Sequence, residues 1–389
     1  MSREFLMPRV VITGAGALDG AAAHLAKLSA KPLIISGPTT SKLECYKKVT
    51  ALLDSLGIAY AEFNGVDGEP TDLTVNAALE AYNAGGCGSF IAVGGGSPLD
   101  TMKAAAVLAV CGGKISDYMG RQIDAKLPFM AAVPTTAGTG SEATRFTVIT
   151  DTKTNVKMLL SGVSLIPDLA VADPEFTLSS PRSITAATGL DALTHAIESY
   201  TSRKAQPLTD AVALSAAKRI FSNLPMAYIN GSDMTARSEM SVAALEAGIA
   251  INNASVTLVH GMSRPIGANF HVPHGISNAM LLEKCLSFAL DGAYAKFADI
   301  ARAIGAAEAA ESDKTAAEKL IEAIGRLCRV CEVPTLEEYG IDRKEFFAVI
   351  DKMADDAIAS GSPANTVKPV TKADVMEIYA SLWNNTNNH

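Results

Sequence analysis

The chain has 389 residues, 48% hydrophobic and 19% charged, with a formal net charge of −8. That length exceeds what one hydrophobic core usually organises, so two domains are expected. The acidic balance argues against a nucleic-acid partner, since phosphate contacts need a basic surface, and apolar runs such as AAAVLAVC are too short to span a bilayer. The opening MSREFLMPRV has no signal-peptide hydrophobic stretch, so a soluble cytoplasmic protein with no membrane association is expected. The six cysteines do not read as a disulfide framework in a chain of this size. Cys45, Cys87, Cys111 and Cys285 read as buried small apolar residues. Cys328 and Cys331 lie in the helical stretch IEAIGRLCRVCEV and read as structural.

Up to about residue 180, short β-rich runs alternate with helical stretches. The runs are PLIIS (32–36), AYAEF (59–63), SFIAV (89–93) and FMAAV (129–133), with helices near 40–56, 72–84 and 98–112. This alternation predicts a parallel, doubly wound sheet. FTVIT (146–150) and KMLLS (157–161), split by polar DTKTNV, predict an inserted β-hairpin. From Pro181 the pattern becomes helical, in SITAATGLDALTHAIESY, TDAVALSAAKRIFSNLP, ARSEMSVAALEAGIAI, GAYAKFADIARAIG and KTAAEKLIEAIGRLC. The boundary falls near DPEFTLSSP (173–181), giving an α/β domain over 1–180 and an all-α domain over 181–389.

GGGSPLD (94–100) follows an apolar run and precedes a helix. Such a turn brings backbone N–H groups to a pyrophosphate at the positive end of the next helix. No GK[ST] follows, so it is not a P-loop. GAGAL (14–18) is a second glycine turn without the third glycine of the dinucleotide fingerprint. PTTAGTGSE (134–142) follows another strand and offers the hydroxyls of Thr135, Thr136, Thr139 and Ser141. Each loop is also compatible with an ordinary tight turn; together they favour a nucleotide.

Asp191 and His195 stand four apart on one helix, on one face. His260 precedes Gly261, which permits close backbone approach, and His274 lies between Pro273 and Gly275, where a helix can start. One carboxylate and three imidazoles suit Fe(II) or Zn(II). On pattern alone the alternative stays open that Asp191 and His195 simply pair with each other.

GGGSPLDTMKA, PTTAGTGSE, DPEFTLSSP, TGLDALTHAIESY and PHG resemble, in order and spacing, the iron-containing (group III) alcohol dehydrogenase family over nearly the whole chain. The resemblance implies an N-terminal dinucleotide-binding α/β domain and a helical metal domain, an architecture shared with dehydroquinate synthase. It implies metal ligands at Asp191, His195, His260 and His274, pyrophosphate contacts at Gly95, Gly96 and Ser97, and Thr135, Thr136 and Thr139 along the cofactor, with Lys157 near its ribose. It further suggests a homodimer or higher homo-oligomer. The implied reaction is hydride transfer between NAD(P)(H) and a short alcohol or aldehyde, with Fe(II) or Zn(II) as Lewis acid.

Three positions depart from the family pattern. Arg264 stands where many members have a histidine, and a guanidinium cannot serve as a base near neutral pH. His271 is then the nearest alternative for proton relay, or it merely lines the site. Arg264 can clamp the tail of an anionic aldehyde such as sulfoacetaldehyde or succinic semialdehyde, or it pairs with Glu69 or another carboxylate. Gly37 replaces an aspartate that disfavours a 2′-phosphate, so NADPH is expected to be tolerated alongside NADH, held by Ser36, Thr39 or Lys42. Glu69 replaces an asparagine. The rival reading is a dehydroquinate-synthase-like lyase that uses NAD and a metal without net redox.

Overall fold

A computed structural model describes residues 2–154 and 156–383. The chain divides into two compact units, one of residues 6–180 and one from residue 181 onward that also takes in the first residues. The N-terminal segment therefore parts from the expected 1–180 domain. Its anchors are in the helical unit: Arg3 donates to the Ala205 carbonyl, and the Glu4 carbonyl accepts from Gln206 at 3.0 Å.

The α/β unit runs β1 (Val10–Thr13), α1 (Ala17–Gly20), α2 (Ala22–Leu25), β2 (Pro32–Ile35), α3 (Glu44–Ser55), β3 (Ala61–Phe63), α4 (Asp72–Ala84), β4 (Ser89–Gly94), α5 (Gly96–Cys111), β5 (Met130–Pro134), β6 (Phe146–Asp151), β7 (Val156–Ser161) and β8 (Leu169–Ala172). Six strands form a parallel sheet in the order β1-β8-β5-β4-β2-β3. Strands β2, β4, β5 and β8 are buried along their whole length, as expected for a sheet covered on both faces. Alternate side chains divide between two cores: Ile34, Ile91, Val93 and Val133 pack with Val49 and Leu53, while Leu33, Ile35, Phe90 and Ala132 pack with Leu99 and Met102. Strands β6 and β7 pair antiparallel, from Phe146 opposite Ser161 to Asp151 opposite Val156.

Strands β1 and β8 were not predicted. Each has four residues, and β8 reads LAVA, whose alanines carry little strand preference. Their pairing with each other, and that of β8 with β5, supplies what local sequence lacks.

The helical unit runs α6 (Arg182–Thr201), α7 (Pro207–Ile229), α8 (Met234–Asn253), α9 (Leu258–Phe270), α10 (His274–Ala289), α11 (Tyr294–Ala303), α12 (Asp313–Val330), α13 (Arg343–Ala359) and α14 (Lys372–Ser381). Among the described residues no single helix is long and apolar enough to cross a membrane. Helix α9, which holds Pro265 in its interior, was not expected from sequence, whereas α10 starts at His274 directly after Pro273, where a helix start was expected. The six cysteines are free. Cys328 and Cys331, at the end of α12, are pushed up to about 12 by burial, as inert thiols would be. Cys111 corrects the expectation of burial, because it is the last residue of α5 and is exposed before the Gly112–Gly113 turn.

Candidate metal centre and cofactor loops

Helix α6 is buried almost all round from Thr185 to Thr201. Polar groups on such a helix must find partners inside the protein. Asp191, His195 and Glu198 fall on one face, at i, i+4 and i+7, and are at most 5% exposed. Helix α9 brings His260 in on its first turn, and α10 brings His274 as its first residue. Gly275 makes the second approach possible: a Cβ there would lie 2.2 Å from the Ala187 carbonyl oxygen on α6.

Three of the four ligand candidates, Asp191, His195 and His260, bring their ligand atoms within 4.8 Å of one another, and His274 reaches the same Asp191 oxygen. Asp191 Oδ1 lies 3.8, 3.5 and 3.7 Å from Nε2 of His195, His260 and His274. A tetrahedron with metal–ligand bonds of ~2.1 Å has edges of roughly 3.4 Å, so these donors stand near coordination spacing. The His195 and His260 rings stack at 4.6 Å between centroids. The His274 side chain is 41% exposed, against 4% for Asp191 and 3% for His260, so the donor set opens on the His274 side.

Glu198 fixes the orientation of His260. Its carboxylate lies 2.5 Å from His260 Nδ1 and accepts from Thr257 Oγ1 and the Val259 N–H, each at 2.7 Å. With Nδ1–H given to Glu198, Nε2 is left facing Asp191 as a donor atom. Burial works against a charged ring, yet Glu198 and Asp191 outweigh it and hold His260 up at about 9. Burial likewise opposes the charge on Asp191, but His195 and His274 first, and then His260, hold it well below the usual carboxylate range.

Asn278, one turn after His274, donates Nδ2 to Asp191 Oδ1 at 2.8 Å and lies 3.2 Å from Nε2 of both His260 and His274. Its own Oδ1 is buried without a hydrogen-bond partner. The Asn278 amide N–H groups thus face lone pairs of a buried carboxylate and of imidazoles, and a donor set of that kind, with Asp191, His195 and His260 ligand atoms all within 4.8 Å of one another, fits a divalent ion. Neither Glu198 nor Asn278 was singled out from sequence. Glu198 was within reach, since it shares the face of Asp191 and His195. Asn278 had only its place one turn after His274.

Arg264 shares a face of α9 with His260 and is half-buried; Nη1 donates to Ser362 Oγ at 3.1 Å. Among the described residues no carboxylate lies in ion-pair range of it, and Glu69 is taken by Lys157 at 2.6 Å. Lys157 thus has a carboxylate partner on the α/β unit. His271 is exposed and caps the C-terminus of α9 with a left-handed backbone, φ 56°.

On the α/β unit, the carboxyl ends of β2, β3 and β4 enclose a groove of about 250 Å³. It is lined by Gly37–Thr40, Val66–Gly68 and Gly95–Pro98. This is where doubly wound sheets bind ligands. Of the expected cofactor residues, Gly37, Gly95, Gly96 and Ser97 line it, while Thr135, Thr136, Thr139 and Lys157 do not. A Cβ at Gly37 would meet the Val66 carbonyl oxygen at 2.8 Å, so this strand end has no room for a side chain. Of the groups expected to hold a 2′-phosphate, Thr39 lines the groove, Ser36 is fully buried with its hydroxyl given to the Val93 carbonyl at 2.7 Å, and Lys42 is not among the lining residues. The charged residue in the lining is Asp67.

Residues 8–174 match the iron-containing alcohol dehydrogenase family, and residues 185–383 match the C-terminal part of the Fe-containing alcohol dehydrogenase family. The chain belongs to this family, with the dehydroquinate-synthase-like fold, and is an oxidoreductase of the alcohol dehydrogenase type. It is 37% identical over 375 residues to alcohol dehydrogenase 4 of Schizosaccharomyces pombe, covering 95% of this chain and 87% of that one. The crystal structure of a 1,3-propanediol oxidoreductase superposes with a TM-score of 0.95 at 34% identity, covering 98% and 100% of the two chains. A sulfoacetaldehyde reductase from Bifidobacterium kashiwanohense, solved in complex with NAD+, gives 0.86 at 28% identity, covering 98% and 99%.

Proposed function

We propose that the protein is an NAD(H)-linked, divalent-metal-dependent reductase of short aldehydes that carry an anionic tail. The cluster of Asp191, His195 and His260, with His274 at 3.7 Å from the same Asp191 oxygen, carries the metal-dependent part. Those four side chains would hold Fe(II) or Zn(II). When bound, the ion supplies Lewis acidity toward a carbonyl or alcohol oxygen, and the nicotinamide supplies hydride. Glu198 keeps the His260 ring turned to the site, and the exposed flank of His274 leaves the approach for substrate. The free cysteines suit a reducing compartment, in line with a cytoplasmic enzyme.

The anionic tail rests on Arg264, a half-buried guanidinium that among the described residues donates to a serine hydroxyl and meets no carboxylate in ion-pair range. A sulfonate or carboxylate would meet it in a bidentate way. In a panel of sulfoacetaldehyde and succinic semialdehyde against propionaldehyde and lactaldehyde, the anionic members should react with the higher kcat/KM. Arg264→Ala should lower that value for them by about 10- to 100-fold, the worth of charged hydrogen bonds, and leave the neutral members within about threefold. Equal losses on both classes would remove the clamp and leave a general short-chain alcohol dehydrogenase.

The groove favours NADH over NADPH. A 2′-phosphate carries close to two negative charges, and Asp67 adds a carboxylate where Gly37 leaves none. The ratio of kcat/KM for NADH over NADPH should exceed about tenfold in the wild type and shrink in Asp67→Ala. A ratio that the substitution does not move would free Asp67 of this role.

A further inference from the structure

Two turns into α5, Lys103 is fully buried, and its ammonium is surrounded by oxygens of one segment. Nζ lies 2.7 Å from Ser141 O, 3.0 Å from Ser141 Oγ, 2.9 Å from Thr144 O, 3.2 Å from Thr144 Oγ1 and 2.8 Å from Phe146 O. Three of these are backbone carbonyls that do not turn to other donors when the ammonium is lost. One turn earlier, Asp100 accepts from Ser141 Oγ at 2.7 Å and from the Val148 N–H at 2.9 Å, and its carbonyl takes the Thr147 hydroxyl at 2.9 Å. A single turn of α5 thus grips residues 141–148 through both charges, which share the Ser141 hydroxyl. Glu142, 2% exposed, is the other charge near the ammonium.

What is gripped is the far end of the hydroxyl-rich loop 135–140. Its near end is held by the same structure: the Thr135 N–H donates to the Gly94 carbonyl at 2.9 Å. In between, a Cβ on Gly96 would touch Thr139 Cγ2 at 3.0 Å, so the loop lies directly on the glycine turn. The near end of the loop is thus referenced to the end of β4 and the far end to α5, whose first turn presents Gly96 and Ser97 to the groove.

We propose that Lys103 is a positioning residue for the dinucleotide, clamping the hydroxyl loop onto the helix that presents the glycine turn. The proposal rests on reading these two loops as the cofactor site. Lys103 touches neither cofactor nor substrate; it sets the spacing between the two backbones that do. A buried lysine saturated by carbonyls serves this better than an apolar residue, because it ties three separate peptide groups to one atom.

The test compares Lys103→Met, which keeps the stem and removes the donors, with Lys103→Arg, which keeps the charge. NADH Kd is read from its fluorescence, KM for NADH and for aldehyde from initial rates, and the unfolding midpoint from circular dichroism. Lys103→Met is expected to raise the Kd and KM for NADH by about tenfold or more, with the aldehyde KM within about twofold, and Lys103→Arg to recover part of the loss. A folded Lys103→Met protein with wild-type NADH Kd, whatever its melting midpoint, overturns the clamp alone. Wild-type protein that binds no NADH overturns the cofactor reading and the clamp with it. Where Lys103→Met does not fold, Ser141→Ala removes the hydroxyl shared by Lys103 and Asp100. An NADH Kd raised about threefold there supports the clamp, and an unchanged one overturns it.

Discussion

Asp191→Asn is expected to strip the protein of its metal and lower kcat/KM by about a thousandfold, the equivalent of roughly 4 kcal/mol. The side chain keeps its shape, so the loss falls on charge alone. Asp191 is the one anion among four donors, and its oxygen stands within 3.5–3.8 Å of all three imidazole nitrogens. An amide would leave three neutral rings and no anion among the ligands to offset the charge of the ion. Metal content by elemental analysis should fall from about one ion per chain to a small fraction. The fold should persist, since the substitution removes no apolar contact from α6. Retention of a full equivalent of metal together with wild-type turnover would end the case for this site.

Glu198→Gln should weaken metal affinity by about 10- to 100-fold while leaving kcat near the wild-type value once metal saturates. The carboxylate does not face the ion; it acts through His260. As a carboxylate it accepts from His260 Nδ1, Thr257 Oγ1 and the Val259 N–H together, and its charge, together with Asp191, holds His260 up at about 9. Glutamine retains an acceptor oxygen but not the charge, and its NH2 opposes one of the three donors. Glu198→Ala should add a stability loss, because up to three buried donors lose their acceptor at about 1–3 kcal/mol each. Competition with a chromophoric chelator separates affinity from turnover. A kcat that falls at saturating metal, with affinity intact, would instead place Glu198 in the chemistry.

Much of this site was legible before any coordinates. The i, i+4 spacing of Asp191 and His195 and the Pro–His–Gly sequence at residue 274 each describe a local geometry, and local geometry is what a sequence encodes most directly. Glu198 was legible in the same way and was passed over, because a glutamate at the end of a helical run ordinarily faces solvent. Its burial at 0% follows from α6 being enclosed by α7, α8 and α10, a fact of packing. Asn278 is a further case: nothing in PHGISNAM sets it apart until α10 is laid against α6 with Gly275 at the contact.

The groove on the α/β unit divides in the same way. The glycine turn after β4 was readable, since a strand, a glycine cluster and a helix follow one another in the chain. That Gly37 is closed to side chains by the Val66 carbonyl, and that Asp67 lines the same groove, depends on β2 and β3 lying side by side. Ser36 looked available for a phosphate but lies inside the sheet, bonded to Val93 on β4.

By itself, then, the sequence determined the two-part architecture, the parallel sheet, the family and the donor types of the candidate metal centre. These rest on periodicity, turn chemistry and ordered motifs, all properties of neighbouring residues. The tertiary structure alone decided which carboxylate steadies His260, which amide meets the donor set, which acid faces the groove and which lysine the 141–146 segment surrounds. Each of those depends on residues far apart in the chain being forced together by burial, where an unpaired polar group is costly and every partner must be found within the protein.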